Sequence, residues 1–174
     1  QAFIELLGKI RRDRLDQDAI EMLNERHIPG FGDQVHDGHI ILTTHNAKAK
    51  RINDQRLSKI QGKPYFYDAL VEGDFQPYNF PTEEKLELKV GTQVMFVKND
   101  SSIEKNYYNG KIGTVTELDE DEVFVKCPED DGPIAVAPET WENIRYEIDG
   151  NTKEIKEEVI GKFSQIPLKH AWAI

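Results

Sequence analysis

Apolar residues recur with helical spacing at the start of the chain: Phe3, Leu6, Leu7 and Ile10 fall at i, i+3, i+4 and i+7, one face of a helix. Arg11, Arg12 and Arg14 follow, where a helix C-terminus favours cations, and they read as a solvated helix end in preference to a binding site. Asp16 is placed to cap a second helix carrying Ala19, Ile20 and Leu23, with Asp18 in its first turn. Pro29-Gly30 and Gly32 then end helical structure. His39–Thr43 is a short aliphatic and β-branched run and reads as a buried strand. Thr44-His45-Asn46 supplies a turn and a helix cap, and Ala49, Ile52, Leu57 and Ile60 mark the apolar side of a helix running to about Ile60. Strand, polar turn and helix in this order make a βα unit, in which ligands sit at the carboxyl end of the strand, here Thr43–Asn46.

The second half changes period. Gly62-Lys63-Pro64 breaks the helix, Tyr65–Val71 reads as extended, and Gly73–Pro81 reads as a linker. Leu86–Val115 joins a strand-like run, Thr92–Lys98, through a loop to Asn109-Gly110-Lys111, where Asn-Gly is a strong turn signal because both positions tolerate positive φ. Gly113 suits a tight bend between strands. After the acidic run Glu117–Glu122, most simply a hairpin tip, Val123–Cys127 alternates as a strand, and Pro133–Ala137 and Thr140–Ile148 offer two more. Short strands in such close succession predict a compact barrel of the Src-homology-3-like kind. Lys153–Phe163 fits a helix or a strand, Gln165–Leu168 is extended around Pro167, and Ala171–Ile174 is apolar.

Composition limits the function. Among 174 residues 31% are charged and 38% apolar, ordinary for a globular protein, and the net charge of −10 means that the chain as a whole is no polycation. The dense basic patch is Lys48, Lys50, Arg51, Arg56 and Lys59 against Asp54, either a solvated helix face or, beside a helix N-terminus with hydroxyl and amide donors, a holder of phosphates. A single cysteine, Cys127, forbids an internal disulfide and fits a reducing cytoplasm, with a bacterial cytoplasm or nucleoid expected. No apolar run reaches transmembrane length, and no membrane partner is expected. A G-x-x-x-x-G-K-[ST] loop, a G-x-S-x-G elbow and a Cys/His zinc spacing are all missing from the sequence, and no catalytic residue or metal ligand is assigned. His36 and His39 flank a turn without forming a ligand set. Gln1 opens inside a helical pattern and Ala171-Trp172-Ala173-Ile174 closes without a cap, so both ends are expected to be internal to a longer protein.

Five segments occur in an order with family meaning: FIELLGKIR (Phe3–Arg11), ILTTHNAKAKRIN (Ile41–Asn53), LKVGTQVMFVKN (Leu88–Asn99), NGKIGTV (Asn109–Val115) and FSQIPLKHAWAI (Phe163–Ile174). NGKIGTV alone is weak; the five in order are specific. Nearly the whole chain thereby resembles the second motor domain of superfamily 1 DNA helicases of the PIF/RecD-like branch. In that family the last segment runs into a Thr-x-His-Lys-Ser-Gln-Gly motif, which is expected just after Ile174, and an arginine sensing the γ-phosphate is expected just before Gln1.

The resemblance implies an α/β fold: a partial RecA-like domain of the P-loop NTPase type over residues 1–80, an inserted small Src-homology-3-like β-barrel over 84–160, and a truncated return strand over 164–174. It implies an ATP-dependent DNA helicase that translocates on single-stranded DNA and unwinds duplex, with roles in repair and recombination. ATP and Mg would be bound by the full-length parent and neither by this fragment, which is expected to be inactive alone. The partners implied are single-stranded DNA, DNA junctions and the first RecA-like domain of the same chain. Carried over by position, Thr43, Thr44, His45 and Asn46 meet the DNA backbone. Asn53 is a polar helix position whose other role is a buried amide bonding to the preceding loop. Asn109, Gly110 and Lys111 form the barrel loop, with Lys111 reaching a phosphate. His170 stands where an aliphatic residue is expected. Two other readings remain: a stand-alone small-barrel module binding nucleic acid or protein without ATP, and a metal-dependent hydrolase using acids of Glu117–Asp131.

Overall fold

The computed structural model describes residues 2–30, 39–148 and 153–174; Gly32 and His36 lie outside the described residues. The chain divides into two compact units, Gln1–Asp37 and Gly38–Ile174. The first holds α1 (Ala2–Arg11) and α2 (Gln17–Asn24). Asp16 caps α2 as its type predicts, its Oδ1 accepting the Ala19 amide at 2.9 Å. Leu6 and Ala19 are buried, while Phe3, Leu7 and Ile10 of the same stripe stay 41–48% exposed.

The second unit begins with a correction. His39–Thr43 does not form a buried strand: Ile41 makes one isolated parallel bridge to Ala173, and Leu42 is 78% exposed. Its backbone is extended all the same, with the Ile41 amide donating to Trp172 and the Thr43 amide to Ile174. An apolar run becomes a core strand only where neighbours cover both faces, and among the described residues one short segment, Trp172–Ile174, pairs with this backbone. Next comes α3 (Asn46–Lys59), which buries Ala49, Asn53 and Leu57 at i, i+4 and i+8. Its C-terminal carbonyls at Leu57 and Ile60 accept the Lys89 ammonium at 3.3 and 3.2 Å, a favourable cation at the negative helix end.

The remainder is antiparallel sheet: β1 (Tyr65–Asp68), β2 (Leu70–Gly73), β3 (Lys85–Leu88), β4 (Gln93–Phe96), β5 (Ile112–Leu118), β6 (Val123–Lys126), β7 (Pro133–Val136), β8 (Glu139–Ile148), β9 (Ile155–Gln165) and β10 (Leu168–His170). Among the described residues these strands form three sheets, ordered β1-β3, β10-β4-β5-β6-β7 and β2-β9-β8. The five-stranded sheet supplies most of the core, in which Val94, Phe96, Val115, Val123, Val125, Val136 and Leu168 are at most 1% exposed. Along β5 the inward set is Gly113, Val115 and Leu118, and a bulge between Val115 and Glu117 shifts the phase so that Leu118 still faces inward. The Lys153–Phe163 ambiguity resolves as β9, whose long pairing with β8 sets Arg145 opposite Glu158 and Lys162 opposite Glu142. Gly73–Pro81 is more than a linker: it contains a 3-10 turn, Pro77–Asn79, and places Phe75 and Phe80 against Phe163 at 5.7 and 4.6 Å. No described helix is long and apolar enough to cross a membrane.

Asn109-Gly110 turns as its sequence predicts, with Gly110 at φ +96°. Gly113 has a different role from the expected bend. It lies inside β5, where a Cβ would come within 2.5 Å of Val125 Cγ1 and 2.9 Å of Cys127 Sγ. Cys127 is 1% exposed, and burial pushes its thiol up to about 11. Gly113→Ala is therefore expected to destabilise the fold by about 1–3 kcal/mol through overpacking, read as a lower urea midpoint at unchanged m. An unchanged midpoint would show that β6 yields without cost.

Candidate nucleic-acid interface

The residues carried over by position fall in two places. The first is the entry to α3. Thr43 Oγ1 donates to the His45 carbonyl at 3.0 Å, and Thr44 Oγ1 lies 2.8 Å from His45 Nδ1, fixing the turn. His45 is the N-cap residue yet makes no side-chain cap bond, so the cap expected of Thr44-His45-Asn46 is not made by this side chain. The first turn of α3 also lacks an acidic residue. Thr44, His45 and Asn46 are exposed. Side-chain donors thus surround a helix start whose partial positive charge is left unneutralised, the arrangement that favours an anion. Asn46 also lines a small cleft of about 220 Å³ with Lys50, Asn53 and Lys169, opposed by Asp54 and Glu83.

Asn53 does not face outward. It is 8% exposed; Nδ2 donates to the Ala173 carbonyl at 2.9 Å and the His170 carbonyl at 3.4 Å, and Oδ1 accepts the Ala173 amide at 2.8 Å. The buried-amide role is therefore the one present, but its partner is the C-terminal segment rather than the preceding loop. His170, where an aliphatic residue was expected, is buried at 7% with Nε2 2.7 Å from the Glu87 carbonyl and its ring stacked on Trp172. A histidine fits because that carbonyl gives its ring nitrogen a hydrogen-bond partner.

The second place is the turn before β5. Asn109 is exposed, and its amide donates to Asn99 Oδ1 at 2.8 Å. Lys111 departs from the expectation that it reaches a phosphate: it is 8% exposed, and its ammonium is held inside. Nζ donates to the Asn106 carbonyl at 2.9 Å and to Asp130 Oδ1 at 2.8 Å, and it also pairs with Oδ2 at 2.8 Å. Its hydrogen bond holds the Asp130 carboxyl below the usual range. Lysine in a glycine turn looks like a surface cation until the carboxylate nineteen positions on is placed beside it. The turn rims a groove of about 530 Å³ along β5 and β6 that includes Tyr108, Ile112, Thr114 and Lys126.

Sequence reasoning missed the frame of this loop. Asp100 is 6% exposed and accepts the Ser102 and Asn106 amides, each at 2.8 Å. Burial works to raise its carboxyl, but these donors outweigh it and hold it low. Glu139 fastens the loop to β8: it accepts Ser101 Oγ at 2.5 Å and Lys98 Nζ at 2.9 Å, which outweigh burial and lower its carboxyl too. The Asn-Asp-Ser-Ser run at Asn99–Ser102 carried the signal, since Asp favours bonding to the amide two residues on.

No protein-family model matches the chain. The chain is 25% identical to the ATP-dependent DNA helicase Pif1 of Campylobacter jejuni over 99% of its own length and 41% of that protein. It superposes on unliganded Pif1 from Bacteroides sp with a TM-score of 0.85 at 33% identity, covering 99% of this chain and 39% of that one. The same values hold for Bacteroides sp Pif1 with ADP-AlF4, and Bacteroides Pif1 bound to single-stranded DNA matches at TM-score 0.68 and 34% identity, covering 99% of this chain and 38% of that one. An α/β chain so related resembles a part of the superfamily 1 helicases. Within that class its homologues are Pif1 helicases. It spans about two fifths of the length of these relatives.

Asp100, Asp130 and Glu139 all ionise more readily folded than unfolded, so across the acid range the unfolded chain binds more protons. Their stabilisation is fully present above the ordinary carboxylate values of about 4 and is lost as pH falls through the folded values. Lys111→Met is expected to lower the urea midpoint at neutral pH and to flatten its decline on acidification, because Asp130 loses the partner that depresses it. An acid limb as steep as in the parent chain would assign the pH dependence elsewhere.

Proposed function

We propose that the chain is part of an ATP-dependent DNA helicase that steps along single-stranded DNA and unwinds duplex. In this reading residues 1–80 and 164–174 belong to its second RecA-like motor domain, and 84–160 form an inserted Src-homology-3-like barrel, built on β4-β5-β6-β7, with β10 of the return segment paired along β4. The observation that carries the reading is the likeness, over 99% of the chain, to Pif1 structures of which one was solved with single-stranded DNA and another with ADP-AlF4.

The chemistry of the α3 entry agrees with it. A translocase grips a strand without reading bases, so donors aimed at phosphate oxygens suffice. Thr44, His45 and Asn46 offer such donors at a helix start, with Thr43 holding the turn through its bond to the His45 carbonyl, in a chain whose net charge of −10 discourages tight static binding. Asn109 is exposed and offers its side-chain carboxamide to the same strand, whereas Lys111 and Asn53 position the backbone around these contacts. Repeated release requires two states that differ in DNA affinity with nucleotide, and hence a first RecA-like domain bearing the phosphate loop. ATP and Mg would be held chiefly there, where the phosphates are cradled.

Replacing His45 and Asn46 together by alanine is expected to weaken binding of an oligo-dT strand by about thirtyfold, at roughly 1 kcal/mol for each of two hydrogen bonds to phosphate, measured by fluorescence anisotropy. Undiminished affinity would remove the α3 entry from the strand path. The 174-residue chain by itself is expected to hydrolyse no ATP with or without single-stranded DNA, and DNA-stimulated phosphate release from it would overturn the division of labour proposed here.

A further inference from the structure

Beyond its N-terminal turn, α3 carries a second feature that the strand-gripping role leaves unused. Its buried face is set by Ala49, Asn53 and Leu57. Lys48, Arg51, Gln55 and Lys59 follow one another at i, i+3, i+7 and i+11, which puts them in one line on the opposite face. All four are exposed. Lys50 is different: it sits to the side, pairing with Asp54 at 3.2 Å and Glu83 at 3.6 Å. Among the described residues, Lys48, Arg51 and Lys59 have no side-chain hydrogen bond or ion pair, although the chain has 32 acids to 22 basic residues. Where acids are in excess, three aligned cations without partners form a local field of the opposite sign to the whole.

Resting on the helicase reading above, we propose that this outer face of α3 binds the phosphate backbone of a duplex DNA arm, while the start of the same helix holds the single strand. Three properties favour duplex. The line is rigid and straight, and its eleven-residue span corresponds to about 16 Å at 1.5 Å per residue. That is close to five base-pair rises of 3.4 Å, a regular row of charge that a duplex presents and a flexible strand does not. Second, α3 carries no aromatic side chain, and stacking platforms are the usual means of holding unpaired bases. Third, Lys48 lies within one turn of His45 and Asn46, so the row begins beside the strand site and leads away from it. One helix would then hold both sides of a junction between single and double strand.

The test uses the complete polypeptide that carries this chain, with Lys48, Arg51 and Lys59 all changed to alanine. Two probes are compared by anisotropy across a salt series: an oligo-dT strand, and the same strand extended into a duplex arm. Affinity for oligo-dT is expected to stay within twofold. Most of the extra affinity conferred by the arm is expected to vanish, and the slope of log affinity against log salt on the armed probe to fall by about 2–3, at roughly 0.9 for each phosphate no longer neutralised. An unchanged slope on the armed probe, with His45 and Asn46 still needed for oligo-dT, overturns this inference and leaves the strand site standing. Equal losses on both probes assign the row to the single strand and also overturn it. No binding of oligo-dT by the unaltered polypeptide removes the helicase reading and this inference together.

Discussion

The segment Gln165–Ala173 is buried almost throughout, yet β10 gives it only three ladder positions, so side-chain amides must serve much of its backbone. Asn53 bonds both groups of Ala173. Gln93 donates to the Ala171 carbonyl at 2.8 Å and to His39 at 3.1 Å. Gln165 accepts the Ile166 amide and donates to the Tyr67 carbonyl, both at 2.8 Å. A buried peptide group left without a partner costs about 1–3 kcal/mol, so these three carboxamides decide whether the segment can be interior at all. Through them α3, β4 and the extended residues around Ile41 are fastened to one strand, and the position of the α3 entry follows from that fastening.

Much of this fold was legible in the sequence because its signals are local. The Asp16 cap, the Asn109-Gly110 turn and the alternation of Val123–Cys127 each depend on residues within a few positions, and each is present as read. The misreadings share the opposite property. Lys111 meets Asp130 across 19 positions, so side-chain type alone could not show that its ammonium is interior; for Asn53 the buried amide was among the roles read, and what could not be seen was its partner Ala173, 120 positions away. Leu42 belongs to an apolar run that would be core if a sheet covered it, and its exposure depends on what lies beside the strand. Gly113 resembled a bend residue because glycine has two uses, positive φ and close approach, and one letter does not separate them. The candidate site divides in the same way: its exposed donors at Thr44–Asn46 were readable, and the buried parts that hold them were not.

Charge is distributed in keeping with a surface that binds and lets go. The acids of Asp119–Glu122 lie around the exposed β5–β6 turn, and others line the β8–β9 ribbon, whereas the cations of α3 are gathered on one helix. On the proposed reading the wider negative field would limit how long a polyanion stays, and the local positive row would determine where it touches. Ionic strength, rather than shape, would be the stronger control on such contacts.

The lone sulfhydryl has a practical consequence. Cys127 is enclosed by β5 and its thiolate is disfavoured at neutral pH, so maleimide reagents would leave the folded chain untouched. Ile103, 96% exposed in the Asp100-braced loop, is a position where an introduced cysteine would be the only one to react. The native chain is thus already prepared for a single fluorophore or spin label, with no background cysteine to remove.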